Sequence, residues 1–302
     1  MSRSFFNSQN QICCNGRHQE PTRLPSRQDH DNRQQCRQGM TFLELMISMT
    51  ILSAIVGTMG IIALSMEAHY QNQQGRANAS QHARVVFERI NRVVHQASSN
   101  NVFPGLLAVD TDINGVSFPG TLVVWKTDRP IEKELKPLYS ELIVFSFDPD
   151  RPQNIVQFQN LSDTREVPPI DQTGTWKSEI AAFKANGLTT KLVLTKLLRT
   201  RTVADSNSVG ILRFKTRYLP SEEELESYKN KTKSWELLTW PTTPFQKESR
   251  LRQVLCQTEI QLLPTAKGQR EDPTGETSIA FFGSSTHYYP LNKNELIIAT
   301  QE

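Results

Sequence analysis

Arg37-Gln38-Gly39-Met40-Thr41-Phe42-Leu43-Glu44-Leu45, running on without interruption through Met46-Ile47-Ser48 to Leu64-Ser65-Met66, is the stretch around which the rest of this 302-residue chain is organised. From Leu45 to Met66 no residue is charged, whereas almost every other window of that length carries several charges. At about 1.5 Å per residue these 22 positions make a helix of roughly 33 Å, enough to cross a hydrocarbon layer of about 30 Å. One membrane-spanning helix is predicted, and no second stretch qualifies.

On its N-terminal side the composition changes abruptly. Residues 1–39 are rich in Gln, Asn, Arg and Ser, are interrupted by Pro21 and Pro25, and have too few aliphatic residues to build a core. They hold Arg3, Arg17, Arg23, Arg27, Arg33 and Arg37 against Glu20, Asp29 and Asp31, which accounts for the whole net charge of +3. The remainder is neutral, so the basic balance says nothing about nucleic acid. Arg33 and Arg37 lie close to the start of the span, with Arg27 a little further off; beyond the span the first basic residue is Arg76, preceded by Glu67. The positive-inside rule then predicts a cytoplasmic tail, with everything after about residue 67 on the other side. Cys13, Cys14 and Cys36 also belong to the tail, so a chain that loses it keeps only Cys256 and can form no internal disulfide. Cys13-Cys14 with His18 lacks a second Cys-x-x-Cys element at ligand spacing, and no zinc site is expected there.

On the C-terminal side no proline appears until Pro104. Val86, Ile90, Val93 and Ala97 recur at steps of three and four among Arg84, Glu88, Arg89 and Arg92, the pattern of a helix with one apolar stripe. A single helix from about 41 to 98 is expected, half in the membrane and half amphipathic. Gly57, Gly60 and Gly75 would be its weak points, at about 1 kcal/mol each relative to Ala. After Asn101 short β-branched or alternating runs take over: Thr121 to Trp125, Leu142 to Phe147, Ile155 to Phe158, Lys191 to Leu197, Ile211 to Tyr218, Gln253 to Leu263 and Leu296 to Thr300. No comparable helical repeat alternates with them, which disfavours a doubly wound sheet and points to an α+β chain. Glu222 to Lys233 reads as a charged insertion, a short exposed helix or a loop. The expected layout is a leader over 1–39, a membrane helix over 40–66, its amphipathic continuation over 67–100, and a β-rich domain over 101–302.

The junction itself resembles the class III signal of type IV prepilins and of the pseudopilins of type II secretion. Gly39 stands before the scissile bond, Met40 is an apolar first residue, Thr41 and two apolar residues follow, and Glu44 is fifth. Gly39 has no side chain, so a protease at the membrane surface can seat an extended backbone closely against it. A cut there leaves the apolar run in place as an anchor, unlike an ordinary secretory signal. The resemblance implies a prepilin peptidase that cleaves after Gly39 and N-methylates Met40. It also implies a pilin-like fold, with the long helix packed on a mainly antiparallel sheet, and partnership with other pilin or pseudopilin subunits at the bacterial inner membrane, with the globular part periplasmic and no cofactor. A carboxylate near the end of a membrane helix is costly unless paired. In the family the partner of the residue at Glu44 is the N-terminal amine of a neighbouring subunit. A rigid helix would hold Glu44 about 6 Å along the axis from its own Met40, which favours pairing between subunits. An uncut signal anchor explains the hydropathy equally well. Removal after Ala63-Leu64-Ser65 is disfavoured by the helical pattern that continues past it.

Other chemistry is sparse. Asp110-Thr111-Asp112-Ile113-Asn114-Gly115 matches the opening of a calcium loop, but its twelfth position is Thr121 where a bidentate Glu is required, so a polar turn between strands is the preferred reading and Asp110, Asp112 and Asn114 are weak calcium candidates. Asp148-Pro149-Asp150 reads as a turn. His69, His82 and His95 are thirteen residues apart, steps of about 220° on a helix, and share no face. Nucleophile elbows, paired histidines and phosphate loops are missing, and Gly283-Ser284-Ser285 lacks the flanks of a catalytic serine. The expected function is a non-catalytic minor pilin or pseudopilin. Its 263 residues after Gly39 suit the larger J and K types, and the J type fits better because K-type proteins lack the glutamate. The competing class is a membrane-tethered binding or hydrolytic domain exported behind a pilin-like leader, which would show a concave pocket of polar side chains.

Overall fold

The computed structural model describes residues 40–113, 116–132, 135–202, 208–241, 249–264 and 278–293. The chain divides into two compact units, Met1–Gly60 and Ile61–Glu302. From Phe42 on, the first unit is the opening of α1 (Phe42–His95), whose later turns belong to the second.

In the second unit α1 presents Gly75, Ala79, Ala83, Val86, Ile90, Val93 and Val94 as a buried stripe at steps of three and four, as the sequence pattern requires. The opposite face carries the exposed Arg84–Glu88 pair at 2.9 Å. The expected end at 98 comes three residues early. Ser98 N donates to Trp125 O, and the buried Asn100 side chain accepts from Val102 N and Phe103 N while donating to Glu132 O and Leu135 O. Gln96 N and Ala97 N still close a last turn on Val93 O and Val94 O, and from Ser98 on the polar groups are claimed by the strand that holds Trp125 and by the loops around Phe103 and Leu135.

A five-stranded antiparallel sheet follows in simple order: β1 (Leu106–Ile113), β2 (Val116–Trp125), β3 (Leu142–Phe147), β4 (Ile155–Gln159) and β5 (Thr190–Thr195). One face packs Leu122, Val124, Ile143 and Phe145 into a core with the α1 stripe. The other packs Val123, Leu142, Val144 and Phe158 against Trp176, Ile180 and Phe183 of α2 (Thr173–Ala185). Helices thus cover both faces, which is why Leu142 to Phe147 is buried at every position and reads as a continuous apolar run rather than an alternation. Each fully buried side chain of this kind contributes about 1.5–3 kcal/mol through burial.

The second sheet, order β10-β9-β8, is built from β8 (Leu212–Leu219), β9 (Ser249–Leu262) and β10 (Ile279–Asn292), and β6 (Thr200–Thr202) with β7 (Ser208–Gly210) makes a small ribbon. Phe214, Val254, Cys256 and Ile260 join the α1 core, and β10 approaches α1 so closely at Gly283 that a Cβ there would meet the Phe87 ring. Cys256 is buried and free. Gly75, expected as a weak point, is a point of contact: a Cβ would lie 2.8 Å from Pro264 O.

Six of the seven expected strands are present, Leu142–Phe147 with the expected ends and the other five with shifted ends, and Leu296 to Thr300 lies outside the described residues. Four strands, β1, β6, β7 and β10, and helix α2 were not expected. The 222–233 insertion forms α3 (Glu222–Lys229), capped by Ser221 and Glu224; it is not wholly exposed, since Leu225 and Tyr228 are buried in the core. The layout as a whole is α+β, one long N-terminal helix and a mostly antiparallel β domain.

Candidate assembly site at the helix N-terminus

Thr41 is the last residue before α1 and Glu44 is the third inside it. Glu44 Oε2 accepts from Thr41 N at 2.8 Å and from Thr41 Oγ1 at 3.1 Å, while Thr41 Oγ1 accepts from Glu44 N at 3.3 Å. This reciprocal pair is a capping box, which satisfies backbone donors that the helix cannot pair internally. The Thr-x-x-Glu spacing was visible in the sequence, where it was read for assembly and not for capping. Its first consequence is placement: the helix starts at Phe42, so Met40 precedes it on non-helical backbone. The second concerns reach. The carboxylate folds back toward the helix start, to the backbone of the residue next to Met40, so the distance set by a rigid rod does not separate it from its own N-terminal segment.

From the cap to Met66 α1 carries no charge after Glu44, and its apolar side chains are exposed on every side. Phe42, Leu43, Met49, Leu52, Met59, Ile61 and Leu64 are all exposed. Among the described residues this is the one helix long and apolar enough to cross a membrane. Its polar side chains are disposed to suit that environment. Ser48, Thr50, Ser53, Thr58 and Ser65, every hydroxyl between Leu45 and Met66, bond back to carbonyls three or four residues earlier at 2.7–3.2 Å. In hydrocarbon an unsatisfied hydroxyl has no water to turn to, and here none is left unsatisfied.

Residues 34–60 match the family model of the prokaryotic N-terminal methylation motif. The chain has a prepilin-type N-terminus. With the apolar helix, this gives the chain the N-terminus of a type IV pilin-like protein, a motif that implies processing by prepilin peptidase and assembly with other pilin subunits. Neither a curated protein nor a solved structure matches the chain. Gly39, one side of the expected scissile bond, lies outside the described residues, as do Cys13, Cys14 and His18.

The other sites named from the sequence fall elsewhere. Asp110 lies within strand β1, where it accepts from Ser117 Oγ at 3.3 Å, so the segment is half of a hairpin and not a turn up to Ile113; Asn114 and the side chain of Asp112 lie outside the described residues. Among the described residues no three His, Cys, Asp or Glu side chains gather as a metal site. Asp148-Pro149-Asp150 is a turn, closed by Arg151 N to Asp148 O at 3.2 Å. Two groupings escaped the sequence reading. Ser99 Oγ lies 3.0 Å from His287 Nε2, a part-buried pair; burial pulls the imidazole down to about 4, helped by repulsion from His95, so it is neutral at pH 7. Lys184, in the last turn of α2, is buried against hydroxyls of β2 and β3. Sequence separation hides both, because each joins residues from distant strands and helices.

Proposed function

We propose that this protein is a minor pilin or pseudopilin, a non-catalytic subunit of a type II secretion pseudopilus or a type IV pilus, of the J type if the former. In this reading residues 1–39 are a cytoplasmic leader, prepilin peptidase cuts after Gly39 and methylates Met40, residues 40–66 anchor the chain and later form filament core, and the unit beyond is periplasmic. The observation that carries it is the coincidence, at one place, of the methylation motif and an all-round apolar helix whose side chains are exposed among the described residues. Such a surface needs lipid first and neighbouring helices afterwards.

The capping box fits both stages. With Met40 outside the helix the preceding peptide can be presented in extended form to a protease. After cleavage the new amine and the Glu44 carboxylate lie at the same helix end, where the carboxylate also favours the helix dipole. A neighbour's amine arriving there finds an acceptor already oriented by Thr41. The test is the N-terminal mass of the protein from cells with and without prepilin peptidase. A chain beginning at N-methyl-Met40 only when the peptidase is present is the expected result; one retaining residues 1–39 in both would overturn the reading.

A further inference from the structure

A cavity of about 850 Å³ opens between the C-terminal end of α2 and one end of the five-stranded sheet, with Thr111, Asp150, Lys184, Asn186, Thr189 and Lys191 among its walls. That volume is in the range of small-molecule sites. Its two lysines are treated differently. Lys191 Nζ is neutralised by Asp148 at 3.1 Å and Asp150 at 3.0 Å. Lys184 is buried and has hydroxyl partners: its Nζ donates to Thr121 Oγ1 and to Ser146 Oγ, each at 2.9 Å. Those oxygens are 3.0 Å from each other, Thr121 Oγ1 is 3.1 Å from Thr111 Oγ1, and Ser146 Oγ donates to Gly120 O. No carboxylate pairs with Lys184 among the described residues, and the charged groups on its cavity, Asp150 and Lys191, are engaged with one another.

Charge without a counter-charge is expensive in a buried site, so such an amine releases its proton where exposed lysines do not. Burial pulls Lys184 down to about 8, and no charged neighbour contributes to that. A neutral amine carries a free electron pair, and the two hydroxyls fix where the nitrogen sits.

We propose that the Lys184 amine is a covalent docking point for a small carbonyl compound, an aldehyde or 2-oxo acid, that enters this cavity. The nitrogen lone pair attacks the carbonyl carbon and the carbon–oxygen π bond breaks to give a carbinolamine. Both amine protons then leave with the carbonyl oxygen as one water, and a carbon–nitrogen double bond remains. No oxidant or reductant is needed, and the reaction is reversible. Ser146 and Thr121 hold the nitrogen and are positioning residues rather than reactants.

The test treats the full-length chain, unassembled in detergent micelles, with glyoxylate and cyanoborohydride over a range of pH, and reads each modified lysine by peptide mass. Filament formation plays no part, so the outcome is independent of the assembly reading. Lys184 should be labelled about tenfold or more faster than the exposed Lys136 at pH 7, given the much larger neutral fraction expected of an amine that titrates well below the ordinary lysine value. Its rate should rise to a plateau above pH 8, Lys184→Met should lose that label alone, and Ser146→Ala, which removes one acceptor of the charged form, should move the rise to lower pH. Labelling of Lys184 no faster than Lys136, or a rise unmoved in Ser146→Ala, would overturn the proposal.

Discussion

Replacing Lys184 by Met removes the one buried charge in the α2 layer that has no carboxylate partner among the described residues, and the structure gives both the size and the sign of the effect. The group falls from an ordinary 10.5 to about 8 on burial. At about 1.4 kcal/mol for each pH unit, the folded state bears a penalty of roughly 3 kcal/mol while the ammonium is charged. The depressed value belongs to the folded state, so between pH 8 and 10.5 the unfolded chain binds the proton that the folded chain has lost. Stability therefore rises with pH across that window, and the penalty is present in full below it. The methionine keeps the stem's packing, and Thr121 and Ser146 retain their contact with each other at 3.0 Å. Lys184→Met should be more stable than the parent by up to about 3 kcal/mol at pH 7, with the gap closing toward pH 10.5. Urea unfolding of both proteins in the same detergent, followed by Trp fluorescence at several pH values, measures the difference while other titrations cancel. A gap that stays constant from pH 7 to 10, or a methionine variant less stable throughout, would refute the argument.

Two further expectations rest on single contacts. Gln can replace Glu in a capping box but carries no charge, so Glu44→Gln should keep insertion and cleavage and still fail to enter filaments, as should Glu44→Ala; cell fractionation and sheared-filament immunoblots read this, and normal incorporation of either would remove charge pairing from the account. Gly75→Ala gains about 1 kcal/mol of helix propensity but drives a Cβ to 2.8 Å from Pro264 O, and overpacking costs about 1–3 kcal/mol; it should lower the urea midpoint, whereas Gly174→Ala, with nothing within 4 Å, should not.

Helix α1 was legible because its signal is local and long: an uncharged run, then a stripe at Val86, Ile90 and Val93 that packs as the spacing says. Helix α2 had a legible stripe too, since Trp176, Ile180 and Phe183 recur at four and three residues, but thirteen residues flanked by Gly and polar positions drew less notice than the strands. Strand β1 was lost to a superficial likeness to a calcium loop. Strand β10 was lost because Gly283 and Pro290 interrupt its pattern; as the edge of its sheet it tolerates both. The surroundings of Lys184 could not be read at all. A lysine near the end of a helix looks solvated in sequence, and its burial depends on Thr121 and Ser146, 63 and 38 residues away.

The hydroxyls of α1 have a mechanical consequence. Because Ser48, Thr50, Ser53, Thr58 and Ser65 each spend their hydrogen bond on their own backbone, helices packed side by side through this segment share no polar links, and sliding one along another breaks none. In a filament built from it, axial stiffness would then come from a single notch, the carboxylate at the helix end. Under tension such a fibre would lengthen by slippage once that notch gave way, and could return to register when the load was released.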